Sequence, residues 1–497
     1  MVPHNRLSIS NFSLHFQASV LGELASRSIN FLINKSSKPK VLDVETSLQR
    51  TLLQANIIIN EAIGRQITNQ AILQQLDMLR DAMYQGCYIL DTFRYQCHDE
   101  ENEKDQVVTH SFSLSKVNSL KGIYFSNRRT HVLEQLKDAL DNLSSMILDV
   151  KELAVFLTGY PRLYHQPYSM HLLLSKCMFG RQMEAQLVLN FLLHRQPSVA
   201  EELEVLPVIG PSKVGKSTLV AHVCNDERVR DHFSEIVFVS SYDFKDEELT
   251  CIWERRVKKY QKSLLNKDGR MLVVVDVAGD INEGEWKRLY AASKQSMPTG
   301  SKIIMISQSD KIAKLGTTRA VTLKYLSEEE YWYFFKTLVF GSNDPMMQLR
   351  MSDLAMETAI MLKGCLFYGA NIAYMLRDNF DIHFWCKVVS FFRELNKWHV
   401  SKFGEYLADV LRQNKPAHLG RMVRSNEMIV VYHHYECSSQ EEVPKIALSS
   451  IMYGSVKPPS GRFEALVWRS PIPPYYNYFC NCEVRDLKTT GAKRKRS

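Results

Sequence analysis

The sequence predicts an α/β core with a doubly wound parallel sheet. An α-helical bundle precedes this core, and a small helical subdomain and a β-rich C-terminal unit follow it. Three observations lead to this fold class. Apolar residues before residue 160 recur at helical spacing, short unbroken apolar runs follow residue 200, and a glycine-rich loop comes directly after the first of those runs. With 497 residues, the chain is long enough for two to four domains.

Composition places the chain among ordinary globular proteins, because 45% of its residues are hydrophobic, 23% are charged and the net charge is +8. No apolar run reaches the roughly 18 residues that a membrane span needs. The start of the chain lacks the pattern of a signal peptide. The ten scattered cysteines are therefore predicted to be reduced thiols in a cytoplasmic protein. Cys480 and Cys482, downstream of His433 and His434, match no common zinc-site spacing.

Residues 1–158 are predicted to form a helical bundle, because apolar stripes recur on single helix faces. The stripes are Leu48, Leu52, Ala55, Ile59 and Ala62; Leu76, Leu79, Met83, Cys87 and Leu90; and Leu133, Leu136, Leu140, Leu143, Ile147 and Val150. They serve either as the core of the bundle or as a coiled-coil surface for another protein. The core is favoured, because a bundle must first bury its own apolar faces. Residues 98–107 are predicted to be a loop, and Asn127-Arg128-Arg129 is predicted to precede the third helix.

The remaining segments follow from changes in pattern along the chain. Residues 159–200 are predicted to be a linker and a helix, 201–326 the α/β domain, 327–397 a helical subdomain and 398–497 a C-terminal unit. The α/β strands are predicted at 205–209, 236–239, 271–275, 302–306 and 320–323, and the C-terminal strands at 428–432 and 463–468. Unbroken apolar runs are typical of parallel strands that are covered on both faces. The tail Lys493-Arg494-Lys495-Arg496 is either a nuclear-import signal or a solvated end.

One loop carries recognisable chemistry. It reads Gly210-Pro211-Ser212-Lys213-Val214-Gly215-Lys216-Ser217-Thr218 and fits the pattern G-x-x-x-x-G-K-[ST]. Its glycines let the backbone wrap tightly with N–H groups facing inward, and the following helix points its positive end at a phosphate. Lys216 is expected to neutralise phosphate oxygens and Ser217 to bind Mg²⁺. The strand before the loop and the apolar helix after it make the predicted fold class an α/β P-loop NTPase.

Asp276 is the second candidate site residue. It ends an apolar strand, where a carboxylate faces the phosphate loop and can hold the Mg²⁺ shell; the alternative is a solvated carboxylate at a strand end. Val277 follows it, where many such enzymes have a second acidic residue, and Asp280 and Glu283 are predicted to lie on the next loop. Binding is therefore favoured over rapid hydrolysis. At most a slow ATPase is expected, and no catalytic residue is assigned beyond Asp276.

The order of several blocks resembles the NB-ARC domain of plant NLR disease-resistance proteins. The blocks are 205–233, 272–276, 300–312 and 334–341. Upstream, Phe179-Gly180-Arg181 resembles the segment that lies near the adenine in that family, which implies that Arg181 belongs to the nucleotide site. The N-terminal bundle is similar to the Rx-type coiled-coil domain, and residues 79–84 and 89–93 resemble its acidic helix.

The chain also departs from the family pattern. Lys213 stands in place of a usual glycine, and Gln308 stands in place of a sensor arginine. Gly364 lies in a block that lacks the family's proline, and Cys87-Tyr88 replaces an acidic pair. The sequence shows no leucine-rich repeat. We interpret the chain as a truncated and degenerate relative of the family.

The resemblance implies a signalling protein of plant defence that binds ADP or ATP with Mg²⁺. The nucleotide would control protein–protein interaction of the helical bundle, and self-association is a further expectation. Nucleic acid is not an expected partner. The alternative is a scaffold or decoy that no longer binds nucleotide. The expected location is the cytoplasm or, through the basic tail, the nucleus.

Overall fold

The computed structural model describes residues 41–63, 65–107, 118–150, 155–161, 178–194, 202–240, 269–277, 280–362, 364–413, 415–422, 427–437 and 446–486. Within these ranges, the backbone alone is described for 41, 96–107, 118–130, 132, 240 and 433–437. The basic tail predicted at Lys493 to Arg496 lies outside the described residues.

Helices occur in runs before Glu204 and after Thr322, and between these residues they are interspersed with the strands of a sheet. The helices are α1 (Val41–Ile63), α2 (Gln70–Val107), α3 (Asn118–Asp149), α4 (Gln182–Leu193), α5 (Lys216–Cys224), α6 (Glu227–His232), α7 (Glu283–Ser296), α8 (Glu328–Phe340), α9 (Leu349–Leu362), α10 (Leu366–Asp378), α11 (Ile382–Phe403), α12 (Leu407–Arg412) and α13 (Leu448–Tyr453). The strands are β1 (Glu204–Ile209), β2 (Glu235–Ser240), β3 (Met271–Val277), β4 (Lys302–Ser307), β5 (Val321–Thr322), β6 (Ala417–Leu419), β7 (Glu427–Cys437), β8 (Arg462–Arg469) and β9 (Asn477–Asp486). None of these helices combines the length and apolar character that a bilayer crossing requires.

The chain divides into two compact units. The first comprises Met1–Leu173, Ser327–Ile360 and Ala373–Val389. The second comprises Leu174–Leu326, Met361–Ile372 and Ser390–Ser497.

In the first unit, α1, α2 and α3 pack on one another. The heptad stripe of α3 is buried at Leu136, Leu140, Leu143 and Ile147, and the α1 stripe is buried throughout. The α2 stripe is buried except at Cys87, which is half-buried. The apolar stripes therefore form the core of the bundle.

Two sequence predictions about this bundle are wrong. Residues 98–107, predicted to be a loop, continue α2 to Val107, and α3 already begins at Asn118, upstream of Asn127-Arg128-Arg129. Charged and polar residues such as Glu, Lys and Gln are good helix formers, and residues 98–107 contain no glycine or proline that would end the helix. A polar composition by itself therefore does not distinguish a helix from a loop.

A buried ion pair joins the bundle to α8 within the first unit. Asp91 on α2 accepts hydrogen bonds from Trp332 Nε1 at 2.8 Å and from Lys336 Nζ at 2.5 Å. Asp91 retains 8% of its side-chain exposure. Burial lowers the pKa of Lys336, but the Asp91 carboxylate outweighs burial and the net pKa is raised. The start of α8 is fixed by a capping box between Ser327 and Glu330.

We predict that Asp91→Ala destabilises the first unit by about 2–4 kcal/mol, because it leaves the half-buried Lys336 ammonium and the buried Trp332 N–H without their carboxylate. Hydrogen exchange of amides in α2 and α8 reports the loss specifically for this unit. The matched control is Asp141→Ala, which removes an exposed carboxylate from α3 and should change stability by less than about 0.5 kcal/mol. Equal effects of the two variants would show that the buried pair has no special role.

The second unit contains the predicted parallel sheet. Its strand order is β2-β3-β4-β1-β5, and all four neighbouring pairs are parallel. Every residue of β1 and β4 is buried, as expected for strands that are covered on both faces. One face packs on α4, α5 and α6 and the other on α7, so the sheet is doubly wound as predicted.

A separate antiparallel sheet lies at the C-terminal end of the described chain, with the order β6-β7-β9-β8. It contains both predicted strands, extended at each end, and two further strands, β6 and β9. Cys480 and Cys482 are buried neighbours on β9, with their Sγ atoms 3.3 Å apart. Among the residues with described side chains, no cluster of three or more histidine, cysteine or acidic residues could hold a metal ion.

Two histidines lie where α11 meets β6. His399 is fully buried, and its Nε2 lies 2.7 Å from the carbonyl oxygen of His418, which requires a proton on Nε2. Its Nδ1 atom is buried without a hydrogen-bond partner, as is that of His418. Burial lowers the pKa of both imidazoles. The pKa of His418 is lowered further, because its protonation would be opposed by any charge on His399 and by the charge of Arg485.

We predict that the stability of the second unit falls as the pH drops below about 6.5, the ordinary histidine pKa. In that range the unfolded chain binds protons that the folded imidazoles do not, so stability rises with pH. His399→Gln keeps an N–H donor for the His418 carbonyl and should reduce the pH dependence of the unfolding midpoint. His383→Gln changes an exposed histidine and should leave the pH dependence of the unfolding midpoint unchanged. The same pH dependence in the wild type and both variants would show that His399 is not its source.

Candidate functional site

The glycine-rich loop connects β1 to α5, as the sequence predicts. β1 ends at Ile209, whose carbonyl accepts a hydrogen bond from the backbone N–H of Leu323 at 2.8 Å. The loop covers residues 210–215, and α5 begins at Lys216. The first backbone N–H groups of α5 have no partners within the helix, so this end of the helix favours an anion.

The backbone of the loop requires its two glycines. Gly210 has φ 149°, and a Cβ atom there would lie 2.3 Å from the carbonyl oxygen of Leu323. Gly215 has φ 95°, and a Cβ atom there would lie 2.8 Å from Met178 Cε. Lys213, which replaces a usual glycine of the family, also has a positive φ of 59°. The loop keeps its tight path at that position despite the presence of a side chain.

Lys216 is directed into the loop. Its Nζ donates to the carbonyl oxygens of Gly210 at 2.8 Å and Pro211 at 2.7 Å. The residue is buried, with 8% exposure. Burial lowers the pKa of the ammonium, and the nearby Asp276 carboxylate opposes that shift. A buried cation therefore lies at the centre of the loop.

Ser217 and Asp276 meet at the carboxyl edge of the sheet. Ser217 Oγ donates to Asp276 Oδ2 at 2.5 Å, although the two residues are 59 positions apart. β4 lies between β1 and β3, so the two chain segments approach each other across the end of β4. Burial raises the pKa of Asp276, and the hydrogen bond from Ser217 and the charge of Lys216 counteract that rise. Adjacent hydroxyl and carboxylate oxygens fit the ligand preference of Mg²⁺.

The other acidic candidates lie on the surface. Asp280 pairs with Lys311, and Glu283 pairs with Lys287 at 2.8 Å on the first turn of α7. Gln308, directly after β4, is exposed. Each of the two carboxylates already has a lysine partner at an exposed position, and Val277 supplies no carboxylate beside Asp276.

Arg181, expected near the nucleotide base, is buried just before α4. Its Nη1 donates to Glu184 Oε1 at 3.2 Å, and its Nη2 donates to the carbonyl of Lys324. These contacts connect the segment before α4 to the chain that follows β5. Gly180 precedes Arg181 with a positive φ of 66°.

Several contacts on the outer side of the loop have no signal in the sequence. Tyr325 Oη donates to the carbonyl of Ser212 at 2.9 Å, and Lys213 Nζ donates to the carbonyl of Leu411 at 2.6 Å. Burial lowers the pKa of Lys213 to about 8. Thr218 Oγ1 lies 2.8 Å from Tyr478 Oη. The partners are more than 100 residues away along the chain, so no local pattern could have identified them.

Gly364 packs against one of the elements that contact the loop. It has φ 76°, and a Cβ atom there would lie 2.8 Å from Arg412 Nη2. The Arg412 guanidinium lies over the ring of Tyr325 at 4.8 Å from its centroid. Gly364 therefore allows close packing of side chains beside the loop.

A cavity of about 440 Å³ lies at the opposite, amino edge of the parallel sheet. Lys302 lines it, but its Nζ is already bound by Glu204 at 2.7 Å and by the carbonyls of Phe191 and His194 at the end of α4. A cation at the C-terminal end of a helix is a common structural arrangement. This cavity is therefore distinct from the phosphate-loop site.

The parallel sheet, the wrapped loop and the buried lysine define the α/β P-loop NTPase class of nucleotide-binding domains. Within that class, the family model of the NB-ARC domain matches residues 184–345, and the model of the Rx N-terminal domain matches residues 18–129. The protein thus contains an NB-ARC domain and an Rx N-terminal domain, which confirms the resemblance and the fold class inferred from the sequence. The NB-ARC domain implies nucleotide binding.

Similar proteins with curated descriptions are plant disease resistance proteins. Disease resistance protein RGA2 of Solanum bulbocastanum is 29% identical over 34% of this chain and 19% of its own length. Putative disease resistance RPP13-like protein 1 of Arabidopsis thaliana is 24% identical over 75% of this chain and 37% of its own length. Putative disease resistance protein RGA4 of Solanum bulbocastanum is 25% identical over 57% of this chain and 29% of its own length. The chain therefore spans less than two fifths of the length of these relatives.

We predict that Gly210→Ala destabilises the second unit by more than about 3 kcal/mol, because positive-φ strain of about 1–3 kcal/mol is combined with a collision against the Leu323 carbonyl. Gly404→Ala is a matched control, since Gly404 has φ 73° and no atom within 4 Å of an added Cβ. It should cost only about 1–2 kcal/mol from strain. Denaturant unfolding measures both, and similar losses in the two variants would rule out the collision as the cause.

Proposed function

We propose that this chain is an ADP- or ATP-binding signalling protein of plant defence, with nucleotide bound at the loop between β1 and α5. The observation that supports it best is the hydrogen bond between Ser217 and Asp276 beside the buried Lys216. A hydroxyl, a carboxylate and an ammonium side by side at a helix N-terminus provide the three contacts that Mg²⁺ and a polyphosphate need.

Each part of the loop has a role in this proposal. The backbone N–H groups of residues 210 and 212–215 and of the first turn of α5 bind phosphate oxygens; Pro211 has no N–H to contribute. Lys216 uses two of its three N–H groups on loop carbonyls, which orients the ammonium within the loop. Ser217 and Asp276 hold Mg²⁺, which neutralises phosphate charge when it is bound. The proposed nucleotide-binding residues are Gly210, Pro211, Ser212, Lys213, Val214, Gly215, Lys216, Ser217, Thr218 and Arg181.

The site supports binding better than rapid hydrolysis. Hydrolysis needs a group that orients water and a cation on the terminal phosphate. Val277 follows Asp276, and Asp280 and Glu283 are paired with lysines on the surface. The bound nucleotide therefore acts as a regulatory ligand in this proposal, and turnover is slow.

The biological role rests on the domain content and on the relatives. An Rx N-terminal domain precedes the NB-ARC domain, and the relatives are named as disease resistance proteins. We infer that the nucleotide state controls protein–protein interaction of the helical bundle. In this scheme the bundle binds other proteins, including further copies of the chain.

We predict that Lys216→Ala weakens ADP and ATP binding by more than tenfold, because it removes a buried cation from the phosphate site. Titration calorimetry with Mg²⁺ on the full chain measures this effect. Lys311→Ala is the control, since it removes an exposed lysine that pairs with Asp280, and its affinity should equal that of the wild type. A wild-type protein without affinity for either nucleotide would instead support the scaffold interpretation.

A further inference from the structure

One face of α5 is covered by the segment around β9. Thr218 and His222 are four residues apart and therefore lie on the same face of the helix. Thr218 Oγ1 lies 2.8 Å from Tyr478 Oη, and His222 Nδ1 lies 3.0 Å from the carbonyl oxygen of Pro473. The contact includes the first turn of α5, where phosphate-binding N–H groups are located.

The hydroxyl of Tyr478 is held in a fixed position. Tyr478 is buried, with 8% exposure, and its ring lies 4.3 Å from that of Phe367 at an interplanar angle of 33°. Buried aromatic rings have few alternative rotamers, and a buried hydroxyl group is costly to leave without a partner. The hydrogen bond to Thr218 thus ties the first turn of α5 to a buried, packed tyrosine.

A second contact restrains the tip of the loop from the same part of the chain. Lys213 Nζ donates to the carbonyl of Leu411, the penultimate residue of α12. Asn371, close to Phe367 in sequence, donates to the carbonyl of Val467 on β8. The loop tip and the first turn of α5 are therefore both attached to elements between residues 407 and 486.

We propose that Tyr478 is a positioning residue of the nucleotide site. Its hydroxyl holds Thr218 and so makes nucleotide retention depend on the docking of the four-stranded sheet against α5. This inference rests on the proposed function, because it requires nucleotide at the loop. Tyr478 acts through Thr218 and not by replacing Lys216 or Ser217 in contact with phosphate or Mg²⁺.

The test is the dissociation rate of a fluorescent ADP analogue from the full chain, chased with unlabelled ADP and Mg²⁺. Tyr478→Phe keeps the ring against Phe367 and removes only the hydroxyl, and we expect dissociation about threefold to tenfold faster, the value of one hydrogen bond. Tyr475→Phe is the matched control, because Tyr475 lies three residues away and is 53% exposed. Its dissociation rate should equal that of the wild type.

Thr218→Val and the double variant complete a double-mutant cycle. If the two hydroxyls act as one unit, Tyr478→Phe should have little further effect in the Thr218→Val background. Hydrogen exchange of α5 amides without nucleotide provides a readout that does not depend on binding, and exchange should be faster in Tyr478→Phe than in Tyr475→Phe.

Failure of this inference can be told apart from failure of the proposed function. Absence of Lys216-dependent binding in the wild type would overturn both. Lys216-dependent binding with an unchanged dissociation rate in Tyr478→Phe would overturn the positioning role alone. Additive effects in the double variant would also overturn it, since they would show that Tyr478 acts on nucleotide without Thr218.

Discussion

The turn at Gly210 is the constraint on which the site depends. The strand can lead into the helix here only if Gly210, the residue after the strand, leaves room for the carbonyl of Leu323, and a side chain would fill that space. The resulting close approach lets the chain reverse within six loop residues, so that α5 begins beside the carboxyl edge of the sheet. Lys216 and Ser217 reach their places because the helix starts there. The same turn fixes β5 beside β1, since Leu323 also donates its N–H to Ile209.

The order of the strands in the parallel sheet also shapes the site. β4 lies between β1 and β3, and all three run parallel, so their carboxyl ends meet at one edge. Asp276 at the end of β3 thereby reaches the hydroxyl of Ser217 at the start of α5. The charges at this edge support one another, because burial disfavours the charged form of both Lys216 and Asp276, and each charge favours the charged form of the other. This arrangement supports the proposal that the site binds a ligand with both a phosphate and a divalent cation.

The loop is also connected to the chain well beyond the parallel sheet. Ser212, Lys213 and Thr218 contact Tyr325, Leu411 and Tyr478, respectively. Lys213, a departure from the family pattern, uses its side chain for one of these contacts and keeps the left-handed backbone that a glycine would adopt easily. A feature that looks like degeneration in the sequence therefore has a structural role at the tip of the loop. Of these three contacts, the one through Tyr478 joins the C-terminal sheet directly to the first turn of α5.

The sequence by itself determined the parallel sheet, the helical bundle and the loop, because their signals are local. Unbroken apolar runs, apolar stripes at helical spacing and fixed glycine positions each depend on neighbours within a few residues. The prediction of a loop at residues 98–107 is wrong, because a polar helix and a polar loop have the same composition. No strand is predicted at β9, which carries Tyr478. Only the tertiary structure decided that Asp276 bonds to Ser217 instead of being solvated, that Arg181 donates to the carbonyl of Lys324 and that Asp280 pairs with Lys311. Those pairings follow from strand order and from the packing of distant segments, which no local pattern of residues encodes.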